Sequence, residues 1–136
     1  MHSTNGRAET YAAEFDGTLR WFRNPSNRNA SAHATIHADG TIALHADPGL
    51  RCWHDGDGND ARPGIELAVP AHFTHVTDEQ IRSAAWLIHT WRREKGYTFA
   101  LDETHLPEHR NTVWGTQAGK SDVGRDYTFA RLKRWL

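Results

Sequence analysis

Histidine is the residue type that most clearly points to chemistry in this chain, since ten of its 136 residues are histidine. Imidazole is the commonest protein ligand for transition metals, and its charge changes near neutral pH. A catalytic zinc ion typically keeps three protein ligands, often imidazoles with a carboxylate, and one open position for water. The composition therefore makes a metal site worth searching for along the chain.

Two other features could be mistaken for sites. The single Cys52 excludes an internal disulfide, and its position beside Trp53 in an apolar-flanked stretch predicts a buried structural thiol. The acidic segment 55–60 has oxygen-bearing side chains at alternate positions, as calcium loops do. An EF-hand would need Gly where Asp60 stands, and no flanking helices fit, although Glu66 occupies the twelfth position. The segment is therefore predicted to be a solvated loop.

Four groups of short motifs follow one another along the chain and together resemble a known family. They are His2-Ser3-Thr4-Asn5-Gly6; 31–36 with 39–42; Cys52-Trp53-His54-Asp55-Gly56 with Gly64-Ile65-Glu66-Leu67; and His109-Arg110 with Gly119-Lys120-Ser121-Asp122. In this order, over nearly the whole chain, they resemble the motifs of the peptidoglycan-recognition/type-2 N-acetylmuramoyl-L-alanine amidase family, which includes many phage endolysins. No single motif is specific, but four in the family's order are strong support.

The resemblance implies a zinc ion held by His2, His109 and Asp122. Two imidazoles and one carboxylate form a common catalytic set, and zinc chemistry would activate a water near neutral pH and polarise the scissile carbonyl. His105 competes with His109 for the second imidazole. Arg110, which follows His109 as in the family, favours His109.

The resemblance also implies two catalytic side chains, Lys120 and Glu66. Residues two apart in an extended segment point to the same side, so Lys120 could hold its ammonium near Asp122 and stabilise an oxyanion. Glu66 follows an apolar residue on a predicted buried strand, where burial could raise its pKa and suit it to proton transfer. Relatives can use a hairpin Tyr instead, but Ala32 and Ala34 stand in this hairpin. A solvated Lys120 and a structural Glu66 remain alternatives.

Three further residues match family positions that line the hairpin and the substrate groove: His33, Trp53 and His54. Aromatic faces pack against sugars, so a groove role is reasonable for Trp53 and also for Trp114. The sequence does not decide between groove and ordinary packing for any of these four side chains.

The predicted function is zinc-dependent hydrolysis of the amide between N-acetylmuramic acid and L-alanine, with peptidoglycan as partner. An endolysin-like enzyme would be made in the cytoplasm and released at lysis, which agrees with the absence of a signal-peptide pattern in the first twenty residues. The alternatives are a non-catalytic peptidoglycan-binding module and a zinc hydrolase of another substrate. Retention of Asp122 as a potential ligand favours an enzyme over the binding module.

Composition limits the other function classes. The 136 residues predict one domain over 1–136, and we expect it to be a monomer. A net charge of −1 gives no basic field for nucleic acid, and no apolar run is long enough to cross a bilayer. Partners other than the cell wall are therefore not expected.

The predicted elements give an α/β class with a mixed central sheet flanked by helices. Periodicity and turn signals predict a helix over 8–23, a hairpin over 32–45 around Asp39-Gly40, a strand over 64–69, a helix over 78–95, a strand over 97–101, an irregular segment over 103–127 and a short helix over 128–136. The last helix is expected to bury Phe129, Leu132 and Trp135.

The family normally has a central apolar strand that leads into the first metal-binding His. Only Met1 precedes His2 here, so the first central strand is expected to be truncated. A fragment or wrongly chosen start is the favoured explanation; a strand from another chain and an adapted terminus are the others.

Overall fold

The computed structural model describes residues 1–4, 8–24, 26, 30–60, 62–70, 75–119 and 127–136. Its strands and helices, in chain order, are β1 (His2–Ser3), α1 (Tyr11–Arg23), β2 (Ala34–Ile36), β3 (Ile42–Leu44), β4 (Ile65–Leu67), α2 (Asp78–Lys95), α3 (Val113–Gln117) and α4 (Phe129–Lys133). Short 3-10 helices cover Gly56–Asp60 and His109–Asn111.

The four described strands form one mixed sheet in the order β1-β4-β2-β3. Strand β4 pairs in parallel with both β1 and β2, whereas β2 and β3 are antiparallel. Strand β1 has two residues and lies at one edge of the sheet that the described strands form. The predicted mixed sheet with flanking helices is thus confirmed, and its register aligns His2 with Glu66.

The β2–β3 hairpin forms around the predicted Asp39-Gly40 turn. Gly40 has a φ of 90°, and the backbone N–H of Thr41 donates to Asp39 Oδ1 at 2.8 Å. A Cβ on Gly40 would lie 2.8 Å from Ser83 Oγ. Only glycine combines this backbone conformation with so close a contact to α2.

The core lies between one face of the sheet and α2. Alternation along the strands points Ala34, Ile36, Ile65 and Leu67 to this face, and all four are buried with the apolar stripe of α2. The α2 helix has the predicted Thr77/Gln80 capping box and ends at Gly96 with a φ of 67°. Thr35 and Glu66 therefore lie on the opposite face of the sheet, beside α1.

Several segments differ from the sequence predictions. Residues 97–101 form no strand; Tyr97 and Phe99 instead pack ring to ring at 5.9 Å, so their apolar surface is covered without a ladder of backbone hydrogen bonds. The segment 103–127 is not wholly irregular, because it contains α3 and a 3-10 turn. Leu132 is buried as predicted, but Trp135, which follows α4, is 48% exposed, with the Arg82 guanidinium 5.4 Å from its ring centroid.

No helix within the described ranges combines the length and the apolar composition that a membrane-spanning helix needs.

Candidate functional site

The two predicted imidazole ligands lie side by side although 107 positions separate them. The backbone N–H of His109 donates to the Met1 carbonyl at 2.8 Å, which holds the segment against β1. The rings of His2 and His109 have their centroids 4.0 Å apart, and the residues are 4% and 5% exposed. His105 is instead exposed and bonded to Asp102 at 2.6 Å. The geometry therefore favours His109 over His105 as the second imidazole.

A stacked tryptophan fixes the ring of His109. Trp114 lies parallel to it, with 5.3 Å between centroids and an interplanar angle of 9°. Behind Trp114 lies Gly56, where a Cβ would come within 2.5 Å of the indole. A Cβ on Gly115 would lie 1.8 Å from the His109 carbonyl oxygen. These two glycines let α3 approach closely enough for Trp114 to act as packing for the site.

Glu66 approaches the same pair from the neighbouring strand. It is aligned with His2 in the β1–β4 register, and its Oε1 lies 4.0 Å from His2 Nδ1. Its side chain is 15% exposed. Glu66, His2 and His109 all line one wide cleft of about 680 Å³. The sheet thus places a carboxylate where it can exchange protons with a group bound beside the imidazoles.

Glu14 on α1 is a cleft residue that the sequence did not single out. Glu14 and Thr18 are the buried residues of α1, at 6% and 8% exposure. Both line the same cleft as His2 and Glu66. Among the described residues, no hydrogen bond or ion pair holds the Glu14 carboxylate. The spacing of four residues between Glu14 and Thr18, which places both side chains on one face of α1, was the sequence signal available for their shared position.

His54 lies behind His2, away from Glu66. Its Nε2 lies 2.9 Å from the Arg62 carbonyl oxygen, and its Nδ1 lies 3.2 Å from His2 Nε2. Burial lowers the pKa of His54 to about 4, so the ring is neutral near pH 7. It lines a second, mostly apolar cavity of about 300 Å³ that also includes Ile88 and Trp91. The structure therefore brings His54 to the imidazole pair.

The other two predicted groove residues lie farther from the pair. His33 is 1% exposed; its Nδ1 accepts from the Gly64 N–H at 2.9 Å and its Nε2 donates to the Leu50 carbonyl at 2.7 Å. Trp53 is 51% exposed beneath the Arg51 guanidinium at 4.3 Å. Neither residue lines either of the two cavities described above. Both ring nitrogens of His33 are used for folding, so we assign it to the scaffold.

The segment 55–60 is not the solvated loop that its composition predicted. Asp55 and Asn59 are each 4% exposed within and beside a 3-10 helix. The Asp55 carboxylate pairs with Arg62 at 2.9 Å, and Asn59 Oδ1 accepts the backbone N–H groups of His54 and Asp55. The side chains of Asp55 and Asn59 are therefore folding contacts. Cys52 is buried as predicted, and this burial raises its pKa.

Two of the three predicted zinc ligands are described and adjacent. Lys120 and Asp122 lie outside the described residues, so their roles remain predictions. Within the described ranges, no group of three or more potential ligand side chains is arranged to hold a metal. Two buried, adjacent imidazoles beside a carboxylate nevertheless fit the donor chemistry of zinc.

Because burial lowers the pKa values of His33 and His45, we expect the free energy of unfolding to decrease as the pH falls below about 6.5. Burial lowers the pKa values of His33 and His45 from 6.5, so the unfolded chain binds protons that the folded chain excludes. The stabilisation from each histidine is fully present above its pKa in the unfolded chain. As the pH falls from that value to the pKa in the folded chain, each histidine loses up to about 1.4 kcal/mol of this stabilisation per pH unit.

Urea unfolding of metal-free protein at pH 7.5, 6.0 and 5.0 measures this effect. His33→Gln should flatten the dependence, whereas substitution of the exposed His89 by Gln should leave it unchanged. An unfolding free energy that stays constant from pH 7.5 to 5.0 would contradict the expectation.

Known proteins resemble this chain over most of its length. The family model Amidase_2, described as N-acetylmuramoyl-L-alanine amidase, matches residues 2–125. A crystal structure of a selenomethionine derivative of AmpD has a similar fold, with a TM-score of 0.63 at 22% identity over 99% of this chain and 81% of that chain. No curated protein sequence matches the chain.

Proposed function

The chain belongs to the N-acetylmuramoyl-L-alanine amidase family, and on this basis we propose that it hydrolyses the amide between N-acetylmuramic acid and L-alanine in peptidoglycan with a zinc ion. Family membership supports peptidoglycan amidase activity in general. The observation that carries the zinc-dependent form is the contact between the buried rings of His2 and His109. In the proposal, Asp122 completes the ligand set.

The proposed catalytic roles follow from the positions of the side chains. Zinc, when bound, would supply Lewis acidity toward the attacking water and the scissile carbonyl. Glu66 accepts a proton from the water and returns it to the leaving amine, because its carboxylate lies beside His2 and opens into the cleft. Lys120 is proposed to stabilise the developing oxyanion.

The cleft suits a large polar substrate. Its volume of about 680 Å³ lies within the range of small-molecule sites, and it is lined by Glu14, Thr18, Arg20 and Trp21 in addition to the imidazole pair. Carboxylate, hydroxyl and guanidinium groups can bond the hydroxyls and amides of a sugar-peptide, while the indole provides a flat apolar face. The cavity beside His54, which His2 and His109 also line, has a more apolar lining than this cleft.

Metal removal is the experiment that tests the proposal. The protein should bind about one zinc ion per chain, release L-alanyl peptide from a defined N-acetylmuramoyl peptide, lose that activity in EDTA and regain it with zinc. Mass spectrometry of the products identifies the bond that is cut, and elemental analysis gives the stoichiometry. Undiminished hydrolysis after the zinc has been removed would contradict the zinc mechanism.

A non-catalytic peptidoglycan-binding module is the second candidate function, and the same protein and substrates distinguish it from an amidase. Such a module would bind insoluble peptidoglycan but release no peptide at any zinc concentration. A phage origin and action after release from the cytoplasm are also part of the proposal, and they rest on the resemblance to endolysin motifs alone.

A further inference from the structure

We propose that His54 is a positioning residue that determines which nitrogen of His2 faces a bound metal. This inference rests on the proposed function, since it concerns how the chain prepares a ligand for zinc. The arrangement is a relay of hydrogen bonds that runs from the Arg62 carbonyl through His54 to His2. Its effect is to leave Nδ1 of His2 as the metal-binding atom.

The first step of the relay fixes the proton on His54. A backbone carbonyl can only accept, so Nε2 of His54, at 2.9 Å from the Arg62 oxygen, carries the hydrogen. A neutral imidazole has one N–H, and its other nitrogen has a lone pair. Nδ1 of His54 is therefore an acceptor.

The second hydrogen bond of the relay determines the tautomer of His2. Nε2 of His2 lies 3.2 Å from Nδ1 of His54, so it donates its hydrogen there. The lone pair of His2 is then at Nδ1, on the side where Glu66 Oε1 lies 4.0 Å away. Metal-binding histidines usually donate their other N–H to a nearby acceptor, which fixes the tautomer and the ring orientation. Here the acceptor is a second imidazole.

The surroundings of His54 prevent it from turning away. Its backbone N–H donates to Asn59 Oδ1 at 2.7 Å, and a Cβ on Gly64 would lie 2.6 Å from its ring. Arg62, which supplies the fixing carbonyl, is held by its ion pair with the buried Asp55. Asn59, Asp55 and Arg62 thus support one orientation of the His54 ring.

Two substitutions at His54 separate this role from simple packing. His54→Asn keeps an oxygen acceptor near the former Nδ1 position, whereas His54→Gln places its amide nearer the former Nε2 position. We expect Asn to retain zinc affinity within about threefold, and Gln to weaken it by about 10–100-fold. Competition with a chromogenic zinc chelator measures both affinities without reference to hydrolysis, and circular dichroism checks the fold. The exposed His89→Gln variant is the matched control.

The tautomer of His2 is measured independently in unmodified, metal-free protein. Long-range ¹H–¹⁵N spectra near pH 7.5 should show the proton of His2 on Nε2. A proton on Nδ1, or equal zinc affinity in the folded Asn and Gln variants, would overturn the proposal. If the unmodified protein bound no zinc, the proposed function would fail, while the tautomer would still confirm or refute the relay.

Discussion

Replacing His109 with alanine is expected to eliminate stoichiometric zinc binding and to reduce hydrolysis by about 10³-fold or more, because the metal would no longer activate the water or polarise the scissile carbonyl. His109 supplies one of two buried imidazoles that touch at the floor of the cleft. Elemental analysis and peptide release from a defined muropeptide give the two values, with circular dichroism to confirm folding.

His105→Ala is the matched control for this experiment. His105 is four residues away and exposed, and its ring is bonded to Asp102 rather than placed beside His2. The control variant should keep its zinc and most of its activity. If His105→Ala lost zinc while His109→Ala retained it, the assignment of the second imidazole would be wrong.

Replacing Glu66 with glutamine is expected to lower kcat by about 10²–10⁴-fold while zinc remains bound, because the amide cannot accept and return a proton. Glutamine has nearly the same size and keeps the strand position that is aligned with His2. The effect should therefore be seen in kcat, with zinc affinity changed much less. Steady-state hydrolysis and a chelator competition measure the two quantities.

An exposed glutamate provides the comparison for Glu66. Glu94 near the end of α2 is 57% exposed, and Glu94→Gln should hydrolyse at the unmodified rate. A Glu66→Gln protein with an unchanged kcat would show that another group moves the proton.

Elements with strong local signals could be predicted from the sequence. Asp39-Gly40 supplies a turn that tolerates positive φ, so the hairpin was found at its correct position. The pair Thr77 and Gln80 defined the start of α2, and Gly96 defined its end. In each case a few neighbouring residues determine the backbone, and little tertiary information is needed.

The candidate site depends on contacts that local patterns do not contain. His2 and His109 meet through a backbone bond between chain segments more than 100 residues apart, and only the order of family motifs suggested that pairing. The stacking of Trp114 on His109 requires the close approach allowed by Gly56, which the sequence presented only as part of a motif. Burial of Glu14 was missed because no local pattern distinguishes a buried carboxylate on α1 from an exposed one.

Anomalous diffraction at the zinc edge, from crystals grown with one equivalent of zinc, would locate the metal independently of activity. We expect one peak at about 2.0–2.1 Å from Nδ1 of His2 and from a ring nitrogen of His109, with an open position toward the cleft. Absence of a peak between these two rings, or a zinc ion held by other residues, would contradict this expectation.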